Sequence, residues 1–158
     1  MTAPQWLDDD EMRLWRAFVE ASVGMIQLLD SGLKSRAGFT FDDYEMLVFL
    51  SEAENRRLRM SDLSSRLLHS QSRVTQRIDR LVYRGWVERQ KCVEDRRVTY
   101  AVLTEAGFKA IEGAAPDHVR DVRDHLLDFV RPEDIPVLTE VYERLLNHVR
   151  EQRGECSE

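Results

Sequence analysis

Between Ser70 and Gly85 the chain reads SQSRVTQRIDRLVYRG, a stretch with two periodic stripes that only a helix keeps apart. Val74, Ile78, Leu81 and Val82 recur at helical spacing, and Arg73, Arg77, Arg80 and Arg84 recur at the same period. At ~100° per residue the stripes lie roughly 115° apart around the axis, so burying one turns the other outward. Ser70 can cap the first turn, and Gly85 can stop the last in the position that favours a left-handed residue. The spacing predicts a helix over 71–84 that packs by its apolar side and presents a row of guanidinium groups.

Upstream, Ser61 can cap a shorter helix from Asp62 to about Leu68, with Leu63, Leu67 and Leu68 inward. Two short helices joined at His69-Ser70 form a helix-turn-helix pattern. In that motif the start of the second helix enters the major groove, and here it offers Gln71, Ser72, Arg73, Thr75 and Gln76 for base edges and phosphates. Past Gly85, the runs WVERQKC and VTYAVL predict a β-hairpin with Val93-Glu94-Asp95-Arg96-Arg97 at its tip.

The flanks are helical. Leu14, Trp15, Phe18, Met25, Ile26 and Leu29 predict an amphipathic helix from Glu11 to about Leu29, with Asp8–Glu11 suiting its first turn and Ser31, Gly32 and Gly38 punctuating its end. A second helix starts near Thr40 and ends in the polar stretch Glu52–Arg59. Thr104 caps another, helical to Val130, with Gly113-Ala114-Ala115-Pro116 marking a break or kink. Arg131-Pro132-Glu133-Asp134 starts the last, whose apolar stripe runs from Ile135 to Val149. The outer helices hold more apolar residues than one small module can cover, so they need a partner face.

Charge sharpens this reading. From Arg56 to Arg97 twelve basic residues stand against five acidic ones, a segment charge of +7 within a chain of net charge −6, which leaves −13 elsewhere. Phosphate attraction is local, and screening silences the distant acids. All but one of these cations are arginine, the side chain suited to bidentate contact with phosphate and guanine.

A helix-turn-helix, a hairpin with a charged tip and LTEAG (Leu103–Gly107) opening a long helix, set between outer helices, resembles the MarR family of bacterial transcription regulators. SQSRVTQRIDRLVYRGWVER (Ser70–Arg89) and EDRRVTYAVLTEAG (Glu94–Gly107) carry most of that resemblance. It implies a mainly α fold with a small β-hairpin wing, a winged helix-turn-helix, in an intertwined helical homodimer. Residues 1–36 would form an N-terminal dimerisation helix. Residues 37–104 would form the DNA-binding module, with the wing at 86–103, and residues 105–158 the C-terminal dimerisation helices and polar tail. The family's Asp-x-Arg wing motif falls on Asp95 and Arg97, with the arginine entering the minor groove and the aspartate holding it. Many family wings have an Asp-Pro-like pair before that acid, where this chain has Cys92-Val93.

The expected DNA contacts are Ser70, Gln71, Ser72, Arg73, Gln76, Arg77, Arg80, Asp95, Arg96 and Arg97. The expected function is that of a homodimeric, sequence-specific, ligand-responsive transcriptional repressor of double-stranded DNA targets, acting on a near-palindromic operator. The family often binds small aromatic or phenolic effectors between the dimer helices and the winged module, which makes Trp15, Tyr44 and His118 candidate pocket walls. The competing reading is a winged-helix module for protein interaction, whose acidic body docks a basic partner.

Other chemistries find little support. His118 and His125, seven residues apart with Asp121 between, lack a tight metal-ligand pair, so no metal or cofactor is expected. No catalytic triad, Gly-rich phosphate loop or nucleophile elbow is present, and the chain reads as a non-enzyme. Cys92 and Cys156 have no disulfide or metal spacing and read as reduced thiols, although basic neighbours could activate Cys92. Apolar runs fall far short of the roughly 20 residues that span a bilayer, and the acidic start is unlike a secretory signal. The expected location is the cytoplasm, with no membrane partner.

Overall fold

The computed structural model describes residues 5–153. Its helices are α1 (Asp9–Ala37), α2 (Phe41–Glu52), α3 (Met60–Arg66), α4 (Gln71–Tyr83), α5 (Glu105–His125) and α6 (Ile135–Gln152). Strands β1 (Arg57–Arg59), β2 (Val87–Lys91) and β3 (Thr99–Leu103) form an antiparallel sheet in the order β1-β3-β2. The fold is mainly α with a small sheet, a winged helix.

Asp8 and Glu11 close a capping box at the start of α1, and Thr40 and Asp43 do the same for α2. Asp30 on α1 accepts from the Phe41 N–H at 3.0 Å, which ties the start of α2 to the long helix. Contrary to expectation, α1 does not stop near Leu29. It runs through Gly32, where a Cβ would collide with Asp121 of α5, so that glycine permits close packing rather than ending the helix. The helix stops at Gly38, in the left-handed region with φ 73°, where the amide donates to the Leu33 and Lys34 carbonyls.

The core lies between α2, α3, α4, the sheet and the start of α5, around Met46, Leu47, Leu50, Leu63, Val74, Ile78 and Leu81. Val82, expected inward, stands at the edge of the stripe and is 38% exposed. Leu68, also expected inward, is half-buried with φ 53° in the turn, because the chain reverses there to bring Ser70 to the head of α4. Ser64 steadies that turn by donating to the His69 carbonyl at 2.6 Å.

The polar stretch before α3 contains β1, a strand the alternation signal is too short to show. Its central Leu58 pairs with Ala101 and is buried, while Arg57 and Arg59 face outward. Pairing with β3 keeps the chain extended up to Arg59, so α3 begins at Met60. Ser61, the expected cap, instead donates to the Asp62 carboxylate at 2.9 Å.

Pro116 does not break α5. The carbonyl that its missing N–H would have engaged belongs to Glu112, and both residues are on the exposed side, where water can satisfy it. The helix ends at His125, short of the expected Val130, and short 3₁₀ turns lead through Phe129 and Pro132–Asp134 into α6.

No residue of α6 is buried, although Leu138, Tyr142, Leu145, Leu146 and Val149 form a stripe along it. The facing side of α1 exposes Leu14, Trp15, Phe18, Val19, Val23 and Ile26, and Phe18 approaches Tyr142 with ring centroids 6.3 Å apart.

Candidate nucleic-acid interface

The start of α4 is built by its cap. Ser70 accepts from the Arg73 N–H at 3.3 Å and shares a 3.1 Å hydrogen bond with the Ser72 hydroxyl. Gln71, Ser72, Arg73, Thr75 and Gln76 are all exposed on the first two turns. A guanidinium bridge from β2 steadies this helix, because Arg89 reaches the Thr75 carbonyl at 3.2 Å and Asp79 at 2.6 Å.

The arginine stripe of α4 is not one uniform row. Arg77 turns back toward α2, with its side chain only 13% exposed. It donates to Thr40 Oγ1 and Asp43 Oδ1, each at 3.0 Å, and pairs with Asp42. The expectation of Arg77 as a free groove contact therefore meets a structural ion pair. Position 77 lies at the edge of the helix nearest α2, whose two first-turn carboxylates face it. Arg73 pairs with Asp42 at 2.9 Å and stays half-exposed. Arg80 is more open, 3.9 Å from Asp43. Arg84 lies over the Trp86 ring, 4.8 Å from its centroid.

The hairpin is closed by Cys92 N–H to the Val98 carbonyl and by Val98 N–H to the Asp95 carbonyl. At its tip, both Asp95 oxygens engage the Arg97 guanidinium at 3.2 and 3.3 Å, and Oδ1 also accepts the Arg97 N–H at 3.0 Å. These Arg97 hydrogen bonds hold the Asp95 carboxyl below the usual carboxylate range. The Arg97 side chain is 92% exposed and Arg96 is exposed beside it. The Cys92 thiol, expected among basic neighbours, donates to Glu94 at 2.9 Å, and Cys156 lies outside the described residues.

Between wing and α4 runs a groove of about 320 Å³ lined in part by Arg59, Ser61, Gln71, Thr75 and Arg97. Arg59 and Ser61 were not among the expected contact residues. Their signal was present, a basic and a hydroxyl residue around the start of the helix-turn-helix, but only the pairing of β1 with β3 brings Arg59 and the first turn of α3 beside the wing.

The three candidate pocket walls do not meet. Tyr44 is buried with its ring 4.5 Å from His118, whereas Trp15 is exposed on the outer face beside Phe18. They separate because Trp15 lies near the start of α1, while α5 packs along its later turns, where Gly32 meets Asp121. A cavity of about 300 Å³ instead lies between α1, α5 and the winged module, with Arg36, Phe39, Trp86, Lys109, Asp117 and His118 in its lining. Asp121 is held by Arg36, and His118 faces Phe41 and Tyr44. Burial lowers the pKa of His118 and of His69 in the helix-turn-helix turn.

The winged-helix geometry has close counterparts. AbsC, a MarR family transcriptional regulator from Streptomyces coelicolor, is similar at 38% identity with a TM-score of 0.89, over 94% of this chain and 99% of that one. The chain belongs to the MarR family. The MarR family model matches residues 37–98, from the end of α1 through the wing tip. Sco3205, another MarR family transcriptional regulator from Streptomyces coelicolor, whose structure is in complex with DNA, is 34% identical with a TM-score of 0.90, over 92% of this chain and 91% of that one. The regulator PecS of Dickeya dadantii (strain 3937) is 36% identical over 73 residues. That match covers 46% of this MarR-family chain and 44% of PecS, so the chain spans less than half of that relative's length.

Proposed function

We propose that this MarR-family chain is a sequence-specific repressor that binds double-stranded DNA as a cytoplasmic homodimer on a near-palindromic operator. The observation that carries the reading is the exposed Arg97, chelated by Asp95 at the wing tip and separated by a groove from the polar first turns of α4. An arginine already oriented by a carboxylate loses less rotamer freedom when it enters a narrow minor groove, where negative potential is concentrated. Gln71, Ser72, Arg73 and Gln76 would meet base edges and phosphates in the major groove, with Ser70 capping the helix that carries them. Arg80 and Arg96 would add phosphate contacts, and Arg77 would act by holding α4 against α2.

The uncovered stripes of α1 and α6 support dimerisation through residues 1–36 and 105–158, with residues 37–104 reading DNA. Two α4 helices would then enter successive major grooves ~34 Å apart. A small aromatic or phenolic effector would occupy the cavity between α1, α5 and the winged module and favour a dimer whose α4 spacing no longer matches the operator. Its effect on DNA affinity is bounded by its differential binding to the two spacings.

The test is selection of duplexes from a random library at about 150 mM salt, where phosphate-only binding is heavily screened. Enrichment of a near-palindrome is expected. Failure to enrich any sequence, with Arg97→Ala binding no worse than the wild type, would overturn the reading.

A further inference from the structure

Asp42 lies in the first turn of α2 with its carboxylate 20% exposed, between two arginines of α4. Arg77 is nearly buried and bound as well to Asp43 and Thr40, so it anchors Asp42 in place. Among the described residues the Arg73 guanidinium is bound only by Asp42, at 2.9 Å, and the side chain stays 55% exposed, at the helix end assigned to the DNA. A carboxylate and a phosphate offer a guanidinium similar paired oxygen acceptors. Arg73 therefore faces two acceptors of one kind, one inside the protein and one on the DNA backbone.

We propose that Asp42 is an internal stand-in for a DNA phosphate, holding Arg73 in the free protein and surrendering it when a duplex arrives. The proposal rests on the reading of α4 as the DNA-binding helix. Asp42 does not become an uncompensated acid in the exchange, because Arg77 stays with it. Nor can it follow Arg73 toward the DNA, since it sits in the first turn of α2 and Arg77 holds its carboxylate. Every duplex must displace the same carboxylate, and phosphate contacts carry no sequence information, so Asp42 is a sequence-independent brake on affinity. Base contacts are then needed to hold the dimer on DNA, and phosphate attraction alone is weakened.

The experiment measures binding of the wild type, Asp42→Asn, Arg73→Ala and the double variant to the selected operator and to a scrambled duplex across a salt series. Asp42→Asn is expected to tighten binding to both duplexes by roughly two- to fivefold, the scale of a half-exposed ion pair. Its plot of log affinity against log salt should keep the wild-type slope, since Arg73 meets the phosphate in both proteins, whereas Arg73→Ala should flatten it by up to about 0.9, one phosphate contact. In the Arg73→Ala background the same substitution should change nothing, and Asp42→Glu should keep the brake. Unfolding midpoints check that each variant is folded; Asp42→Glu retains the charge and reports on the brake even if Asp42→Asn proves unstable.

Unchanged or weaker binding by folded Asp42→Asn, wild-type binding with the brake lost in folded Asp42→Glu, or a gain that persists without Arg73 would overturn the exchange while leaving the DNA reading intact. Absence of duplex binding by the wild type and every variant would overturn both.

Discussion

Asp95 grips Arg97 from two residues away, with Oδ1 3.2 Å from Nε and Oδ2 3.3 Å from Nη2, at the tip of the hairpin. A side chain that would otherwise sample many rotamers is held in one by a neighbour on the same tight loop.

Arg97→Ala is expected to weaken operator binding by about tenfold, as for loss of one oriented groove arginine. Asp95→Ala, which leaves the charge but frees the rotamer, should cost less, about two- to fivefold. Fluorescence anisotropy on the selected duplex distinguishes them, and equal affinity for wild type and Arg97→Ala would remove the wing from the interface.

Arg77→Ala should act on stability. It leaves Asp43 and Asp42 facing each other with their main cation gone, so a loss of about 3 kcal/mol is expected, the cost of breaking a largely buried pair. Urea unfolding measures it. A loss confined to DNA affinity, with stability unchanged, would return Arg77 to the groove.

Dimerisation gives a prediction with opposite signs in the two states. Leu138→Glu on α6 replaces a residue that packs into no core of its own chain, so the folded subunit should survive. A charge within an apolar interface should nonetheless separate the subunits and abolish operator binding. Sedimentation should then report the 18.5 kDa chain instead of twice that mass. A stable dimer in this variant would place the interface elsewhere.

His118 and His69 give a pH dependence of known sign. Burial lowers both pKa values below the ordinary 6.5, so the unfolded chain takes up protons before the folded one. Their contribution to stability is complete above about 6.5 and is lost as pH falls from there through the lowered folded-state values. Wild type should therefore unfold at lower urea at pH 5.5 than at pH 7.5, and the difference should shrink in His118→Phe. No change of the difference in that variant would show that His118 charges as easily in the folded chain.

The double stripe of 71–84, the serine cap and the glycine stop made α4 legible, because helix periodicity and capping are local properties of successive residues. The wing tip was legible for the same reason, since Asp95 and Arg97 are close in sequence as well as in space. β1 was not, because three residues carry too little alternation and what makes Leu58 part of a strand is Ala101, 43 positions later. Leu68 and Val82 were misplaced where a turn or a stripe edge, rather than period, sets burial.

By itself the sequence determined which faces are apolar, which are cationic, where α2, α4 and α5 begin and which residues carry the family pattern. Tertiary structure alone decided how each charge is used. Two arginines four residues apart on one helix share a stripe, yet packing α4 against the first turn of α2 sinks Arg77 between Asp42 and Asp43 and leaves Arg73 half in water. It also decided that Gly32 lets two helices touch and that Trp15 stands away from Tyr44 and His118. The physical reason is common to all of these. Periodicity depends on neighbours along the chain, whereas desolvation and ion pairing depend on residues that only the fold brings near.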